Sequence, residues 1–244
     1  MVATWPSIWA KRSLPAGGSL QAQLLAADGF DTAFGHVPEQ SWEGYVARCA
    51  DRLGTTVGSS IYEIGCGAGA FLYPLYKRGL TVGGLDSSRS LLAIARRVMP
   101  DGAFDEGDAS KLPALPTVDF VLANSVFQYF PSEGYAHAVL ERMAAKATVG
   151  VAILDVPDEA FREDDIAMRV RALEGPERYQ STYSGLEHRY YSRTWFSSTM
   201  LDLGLDGISI SSQRLPGYRN AAFRFNAWGF KPGPSQTVMK EKHS

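Results

Sequence analysis

Apolar positions change their rhythm twice along this chain. Over residues 1–40 there is little rhythm to read: Pro6, Pro15, Gly17, Gly18, Gly29, Gly35 and Pro38 interrupt the pattern, and only 20–27 reads as a helix. Trp42, Tyr45, Val46, Cys49 and Leu53 then recur at helical spacing behind Ser41, an N-cap with Glu43 in the first turn, until Gly54 stops the helix. From there short, continuously apolar runs at 61–64, 81–85, 118–123 and 148–154 predict strands, with a shorter one at 103–105. Helical patterns at 70–77, 88–98 and 133–146 lie between them. Strands without a polar face are covered on both sides, so the prediction is a doubly wound, mostly parallel α/β sheet.

After Asp155 the character changes. A charged helix is predicted over 158–174, a Tyr-rich stretch without aliphatic periodicity over 177–193, and a helix over 194–203 closed by Gly204. Two strands, 206–213 and 221–230, flank the turn Leu215-Pro216-Gly217-Tyr218. The expected organisation is a single domain over 1–244: an N-terminal arm or lid (1–40), a cofactor-binding core (41–155), a small substrate cap and helix (156–205), a terminal hairpin (206–230) and a polar tail (231–244).

Composition narrows the partners. With 45% hydrophobic residues and a formal net charge of −2, the chain can build a large core and has no charge excess to attract nucleic acid. Cys49 and Cys66, the two cysteines, show no metal-ligand spacing and read as reduced, small fillers. The first eleven residues hold no apolar run suited to export or anchoring. The expectation is therefore a cytoplasmic protein with a small-molecule partner, no metal and no membrane attachment; nothing in the sequence fixes an oligomeric state.

The chemistry centres on Gly65-Cys66-Gly67-Ala68-Gly69-Ala70, which follows a strand and opens a helix. Taken alone this loop suits NAD, FAD or S-adenosylmethionine, and Ala70 even completes the dinucleotide pattern; a bare tight turn is the simplest alternative. Its charges separate the cases. Glu63 lies at the carboxyl end of the preceding strand, where it would repel a pyrophosphate but attract a sulfonium and an ammonium. Asp86 ends the next strand, placed to accept from ribose hydroxyls, or else to cap the following helix. Asp108 follows the third strand, where it can meet an adenine amino group or be a plain turn acid.

With those residues in place, 61–155 resembles the class I S-adenosylmethionine-dependent methyltransferases, in particular the small-molecule branch that includes ubiquinone-biosynthesis and trans-aconitate enzymes. The resemblance rests on Glu63-Ile-Gly-Cys-Gly-Ala-Gly69, Gly84-Leu85-Asp86-Ser87-Ser88, Gly107-Asp108-Ala109 and Val118-Asp-Phe-Val-Leu-Ala-Asn124-Ser125. It implies a Rossmann-like, seven-stranded sheet with an antiparallel last strand. It further implies that Glu63, Gly65, Cys66 and Gly67 follow the methionine and ribose portion of the cofactor. Asp86 would hold the ribose, Ser87, Asp108 and Ala109 the adenine, and Asn124 the methionine amine. In place of the Pro-Pro-aromatic that follows the fourth strand in enzymes acting on nucleic-acid amines stands Ser125-Val126-Phe127.

A hydroxyl acceptor calls for a base, so the histidines matter. His188 lies in the Tyr-rich stretch, His36 in the arm; His137 reads as solvated and His243 falls in the tail. His188 and His36 are the candidate catalytic residues, and Phe127, Tyr129, Tyr183 and Tyr190 the candidate walls of an acceptor pocket. Arg189, Arg193, Arg219 or Arg224 could clamp an acceptor carboxylate. The favoured function is methyl transfer to a small molecule, an oxygen acceptor ahead of nitrogen or carbon. An NAD- or FAD-dependent oxidoreductase and a non-catalytic S-adenosylmethionine-binding module are the alternatives.

Overall fold

Residues 4–30 and 37–233 are described by the computed structural model, and among them seven strands form one sheet. These are β1 (Ser60–Ile64), β2 (Thr81–Asp86), β3 (Ala103–Glu106), β4 (Val118–Asn124), β5 (Ala147–Pro157), β6 (Asp206–Ser212) and β7 (Arg224–Phe230). Their order is β3-β2-β1-β4-β5-β7-β6, with β7 antiparallel to both neighbours and the other pairings parallel. The doubly wound, mostly parallel sheet with one antiparallel hairpin strand is thus observed. β7 is inserted between β5 and β6 rather than added at the edge.

The centre of the sheet is buried on both faces because β4 and β5 carry runs of consecutive apolar residues. On β4, Phe120 and Leu122 enter one core while Val121 and Ala123 enter the other; on β5, Ala152 and Leu154 alternate with Val151 and Ile153 in the same way. Helices α2 (Leu20–Ala27), α3 (Glu39–Leu53), α4 (Leu72–Lys77) and α5 (Arg89–Val98) cover the first face. Helices α6 (Glu133–Lys146) and α9 (Arg193–Asp202) cover the second. The short α1 (Trp5–Trp9) precedes them, and α7 (Arg162–Ala172) and α8 (Pro176–Tyr183) form the cap beyond β5.

Three local expectations need correction. Ser41 lies inside α3; Pro38 is its N-cap and contributes no side-chain bond, so the capping signal at Ser41 was a helical serine. α8 runs into the Tyr-rich stretch for which no element was predicted: it buries no residue completely, so it has no apolar face for periodicity to reveal. The strand predicted from 221 begins at Arg224, because 219–223 close a 3-10 turn first.

Strand order reverses between β1 and β4, and in such a sheet the crevice outside the carboxyl ends of those strands is the binding place. Glu63 and Asn124 sit at those two ends.

Candidate active site

The loop after β1 is shaped by what lies against it. Gly67 has φ +53°, and a Cβ there would stand 2.2 Å from Asp28 Oδ1; at Gly65, φ +69°, it would stand 2.4 Å from Val126 Cγ2. Both positions require glycine on conformation and on space. Asp28, the C-cap of α2, reaches across from the N-terminal segment: Ala68 N–H donates to its Oδ1 at 2.6 Å and Ala70 N–H to its Oδ2 at 2.9 Å. Gly67 N–H donates to Asp86 Oδ2 at 2.9 Å, and Ser88 N–H to Asp86 Oδ1 at 2.7 Å. The helix cap after β2 is Ser88, not Asp86.

These bonds bear on the dinucleotide alternative. A pyrophosphate binds the amides at the start of the helix after a glycine loop. Here those amides already serve carboxylates of the chain itself. A phosphate would meet three acids, Asp28, Glu63 and Asp86, which border one cavity. Glu63 is 2% exposed, and its Oε2 has no hydrogen-bond partner among the described residues. Burial, then Asp28, then Asp86, push the Glu63 carboxyl well above its usual range. Burial likewise raises Asp28 to about 7 against the pull of its amide bonds, with Asp86 adding to the rise. Asp86 is raised too, by burial. A site that holds three carboxylates under such strain suits a ligand with positive charge.

The remaining expected cofactor residues border the same cavity: Gly65, Cys66, Gly67, Ser87, Asp108, Ala109 and Asn124. Asp108 Oδ1 accepts from Ser110 N–H, the Ser110 hydroxyl and the Tyr135 hydroxyl, at 2.6–2.8 Å. Asn124 Oδ1 accepts from the Tyr45 hydroxyl at 3.2 Å.

The cavity measures about 1440 Å³ and continues from the glycine loop to the cap. A single small-molecule pocket holds roughly 300–1,000 Å³, so two ligands fit side by side. In the cap half, Tyr129, Tyr183, Tyr190 and His188 line it. Phe127 does not: it is 1% exposed and packs on Phe130, Tyr191 and Phe196 at centroid distances of 4.7, 6.0 and 5.5 Å. The 3-10 turn after β4 turns it into the second core, so it is no acceptor wall. His36 lies outside the described residues.

His188 is half-buried, stacked on Trp5 (5.1 Å, 21°) and edge-on to Tyr129 and Tyr183. Its ring makes no hydrogen bond to a described residue. Burial first, then the charges of Arg169 and Arg224, hold its pKa well below the ordinary histidine value. At neutral pH it is an uncharged base facing the cavity.

Of the four arginines considered from sequence, Arg189 and Arg224 line the cavity. Arg193 is tied to Asp158 at 2.7 Å, and Arg219 is exposed. Sequence reasoning missed Asp28 and Arg169. Arg169 is 2% exposed and bonds Asp165 at 3.0 Å, four residues away on α7; in sequence that spacing looks like any surface pair. A polar chain ties this end to the other. Arg169 donates to Asn220, Asn220 to Tyr218, and Tyr218 to Asp155. Asp155 N–H donates to Asn226, Asn226 to Gln213, Gln213 to Tyr45, and Tyr45 to Asn124.

Comparison with known proteins supports the same assignment. The profile of a methyltransferase domain matches residues 61–148. With the sheet order and the glycine loop, this makes residues 61–148 similar to one class of proteins, those with a methyltransferase domain. Within that class, trans-aconitate 2-methyltransferase of Escherichia coli O1:K1 is 30% identical over 137 residues, covering 54% of this chain and 52% of the relative. The Rhizobium etli protein of the same name is 28% identical over 151 residues, covering 58% of each. The chain therefore spans about half the length of these relatives. The fold matches magnesium protoporphyrin IX methyltransferase from Synechocystis PCC 6803, solved with bound S-adenosylhomocysteine (TM-score 0.58, 17% identity, 89% of this chain and 90% of that one). A putative methyltransferase from Haloferax volcanii, solved with the Trm112 activator, matches at TM-score 0.60 and 18% identity over 90% of this chain and all of that one.

Proposed function

We propose that this chain transfers a methyl group from S-adenosylmethionine to an oxygen of a small, anionic acceptor, leaving S-adenosylhomocysteine. The observation that carries this reading is the polarity of the cavity. Asp28, Glu63 and Asp86 border the end at the glycine loop, and buried Arg169 and Arg224 border the end at the cap. The charges that His188 feels at the cap end are those two guanidiniums. The acceptor named in the relatives, trans-aconitate, is an anion of the kind such an end would take.

Bound at the acidic end, S-adenosylmethionine supplies an electrophilic methyl group on a positively charged sulfur. Glu63, with its free Oε2, would meet the cationic part of the donor, while Asp86 would hold the ribose side and Ser87 would flank the adenine. Asp108 and Ala109 would border the adenine, and Asn124 the methionine amine. Arg224 and Arg169 would orient the acceptor; alignment of two reactants in this way is worth on the order of 7–11 kcal/mol of barrier. For a hydroxyl acceptor, an unprotonated ring nitrogen of His188 takes the proton, a contribution of about 10²- to 10⁴-fold. A carboxylate oxygen needs no base. Tyr129 and Trp5 cover His188 and keep water from the reacting atoms.

A screen with labelled methyl donor against small carboxylic acids, hydroxy acids and their neutral amides tests the acceptor class. Acids should be methylated and the matched amides left untouched; equal turnover of amides would overturn the anionic reading. Calorimetry with S-adenosylmethionine, S-adenosylhomocysteine and NAD tests the donor. Saturable binding of NAD without binding of S-adenosylhomocysteine would refute the reaction altogether.

A further inference from the structure

Asp28 belongs to the N-terminal arm, yet its carboxylate is spent on the glycine loop of the core. Through Ala68 N–H and Ala70 N–H it fastens the end of α2 to the start of the turn leading into α4. The arm also lays α1 over the cap. Trp5 lies against Tyr129 (4.5 Å) and His188 (5.1 Å), and Trp9 against Tyr129 (5.6 Å). α1 has no fully buried residue and rests on few polar bonds: Ser88 Oγ to Trp9 O (3.3 Å) and Ser90 Oγ to Ala10 O (3.1 Å). Thr4, Trp5, Pro6, Ile8 and Trp9 all border the cavity. Opening the cavity on this side means lifting α1 away from α2, which is held in the core by Leu24, Leu25 and Ala27 and by Gln21 Nε2 donating to Ala70 O (3.0 Å). Asp28 ties the end of α2, where Trp9 packs against Gly29, to the donor end.

The groups that face Asp28 decide how firmly it holds. From β1 comes Glu63, from β2 Asp86, and from the loop itself the Cys66 thiol and the amides of Ala68, Gly69 and Ala70. The nearby cation of the arm, Arg12, donates to Ala26 O and lies over Trp9. An ionised Asp28 accepts two amide bonds but is repelled by two neighbouring acids. A cation among the three acids removes the repulsion and leaves the bonds; a neutral occupant restores it.

We propose that Asp28 is a positioning residue that latches the N-terminal arm over the cavity, and that the latch reads the charge of the donor: it tightens over the sulfonium and loosens over the thioether left after transfer. The inference rests on S-adenosylmethionine being the donor. It gives the arm a reason to release product that no conformational signal from the acceptor is needed to supply. Transfer itself removes one positive charge from the acidic end, and the hold on the arm weakens at that moment.

Limited trypsin digestion reads the arm directly, because Lys11 and Arg12 lie between α1 and α2. The full chain is digested alone and with saturating S-adenosylmethionine, S-adenosylhomocysteine, or an analogue in which a protonated amine replaces the sulfonium. Cleavage at 11–12 should be several-fold slower with the two cationic ligands than with S-adenosylhomocysteine. In Asp28→Asn the three ligands should protect alike, and the preference for S-adenosylmethionine over S-adenosylhomocysteine in calorimetry should shrink by about tenfold, the effect of one nearby charge in a partly buried site. Equal protection of the wild-type chain by all three, with binding intact, would overturn the latch alone, whatever the stability of the variant. Retention of the full preference in folded Asp28→Asn would do the same. No binding by any of the three would refute the donor assignment, and the latch with it.

Discussion

Glu63→Gln is the sharpest perturbation of the donor end, because it removes a charge and almost nothing else. The side chain is 2% exposed, so the amide occupies the same space. Oε2 has no partner among the described residues, so no hydrogen bond within them is broken there. In the donor-free protein the carboxyl is held well above its usual range by burial and by Asp28 and Asp86, so its ionised form is a liability until a cation arrives. A hydrogen bond to a charged group is worth about 1.5–3 kcal/mol, which converts to a loss of about 10- to 150-fold in affinity for S-adenosylmethionine. The donor-free melting temperature should stay level or rise by about 2–4 °C, the shift that 1 kcal/mol produces in a chain of this size. Calorimetry and thermal denaturation on one preparation give both numbers. Affinity within twofold of wild type, with a lowered melting temperature, would refute the reasoning and reduce Glu63 to a structural residue.

Other expectations follow from the same geometry. Donor affinity should increase as pH rises and level off above neutrality: Asp28 sits near 7 and Glu63 is also raised, and a bound cation favours their ionised forms. The corresponding stability term runs the other way, since a carboxyl whose folded pKa exceeds its unfolded one stabilises at low pH and loses that contribution as pH climbs through 7; calorimetry and melting at pH 6 and 8 would show opposite slopes. His188→Gln should cost about 10²- to 10⁴-fold in kcat with a hydroxyl acceptor and little with a carboxylate acceptor. The acid limb of the wild-type rate profile should fall well below pH 6.5, because the imidazole is held neutral. Arg224→Gln should raise KM for an anionic acceptor by about tenfold or more and leave calorimetric affinity for S-adenosylhomocysteine unchanged. Gly67→Ala places a Cβ at 2.2 Å from Asp28 Oδ1 at φ +53°, so it should lower stability by about 1–3 kcal/mol, read as a fall in melting temperature.

The sheet was legible because its strands announce themselves. Val121, Leu122 and Ala123, or Val151, Ala152 and Ile153, are apolar at consecutive positions, as a sheet covered on both faces requires. The acidic end of the cavity was legible for a related reason: Glu63, Asp86 and Asp108 lie at or just past the carboxyl end of a strand, where topology alone brings them to one crevice. Asp28 was not, since no local pattern marks a helix C-cap that reaches 40 residues ahead to Ala68. Arg169 hid inside a charged helix, because an i,i+4 ion pair has the same spelling whether solvated or buried. Phe127 misled in the opposite sense. Its position after β4 was right for a pocket wall, but the 3-10 turn that follows faces it inward, and turn geometry of that kind is not written in residue type.

The polar chain from Asn124 to Arg169 has a bearing on how this protein could be re-engineered. It crosses from the end of β4 through α3, β7, β5 and the turn before β7 to α7, leaving the fully buried interior only at Tyr218. A graft that exchanged 156–205 for the cap of another protein would cut it between Asn220 and Arg169, leaving an acceptor at Asn220 Oδ1 without its donor. An orphaned buried polar group costs about 1–3 kcal/mol, enough to erase much of what a better-fitting cap would gain. Chimeras that carry the Asp165–Arg169 pair across with the new cap, or that replace Asn220 by an apolar residue in the same step, should be the ones that stay folded.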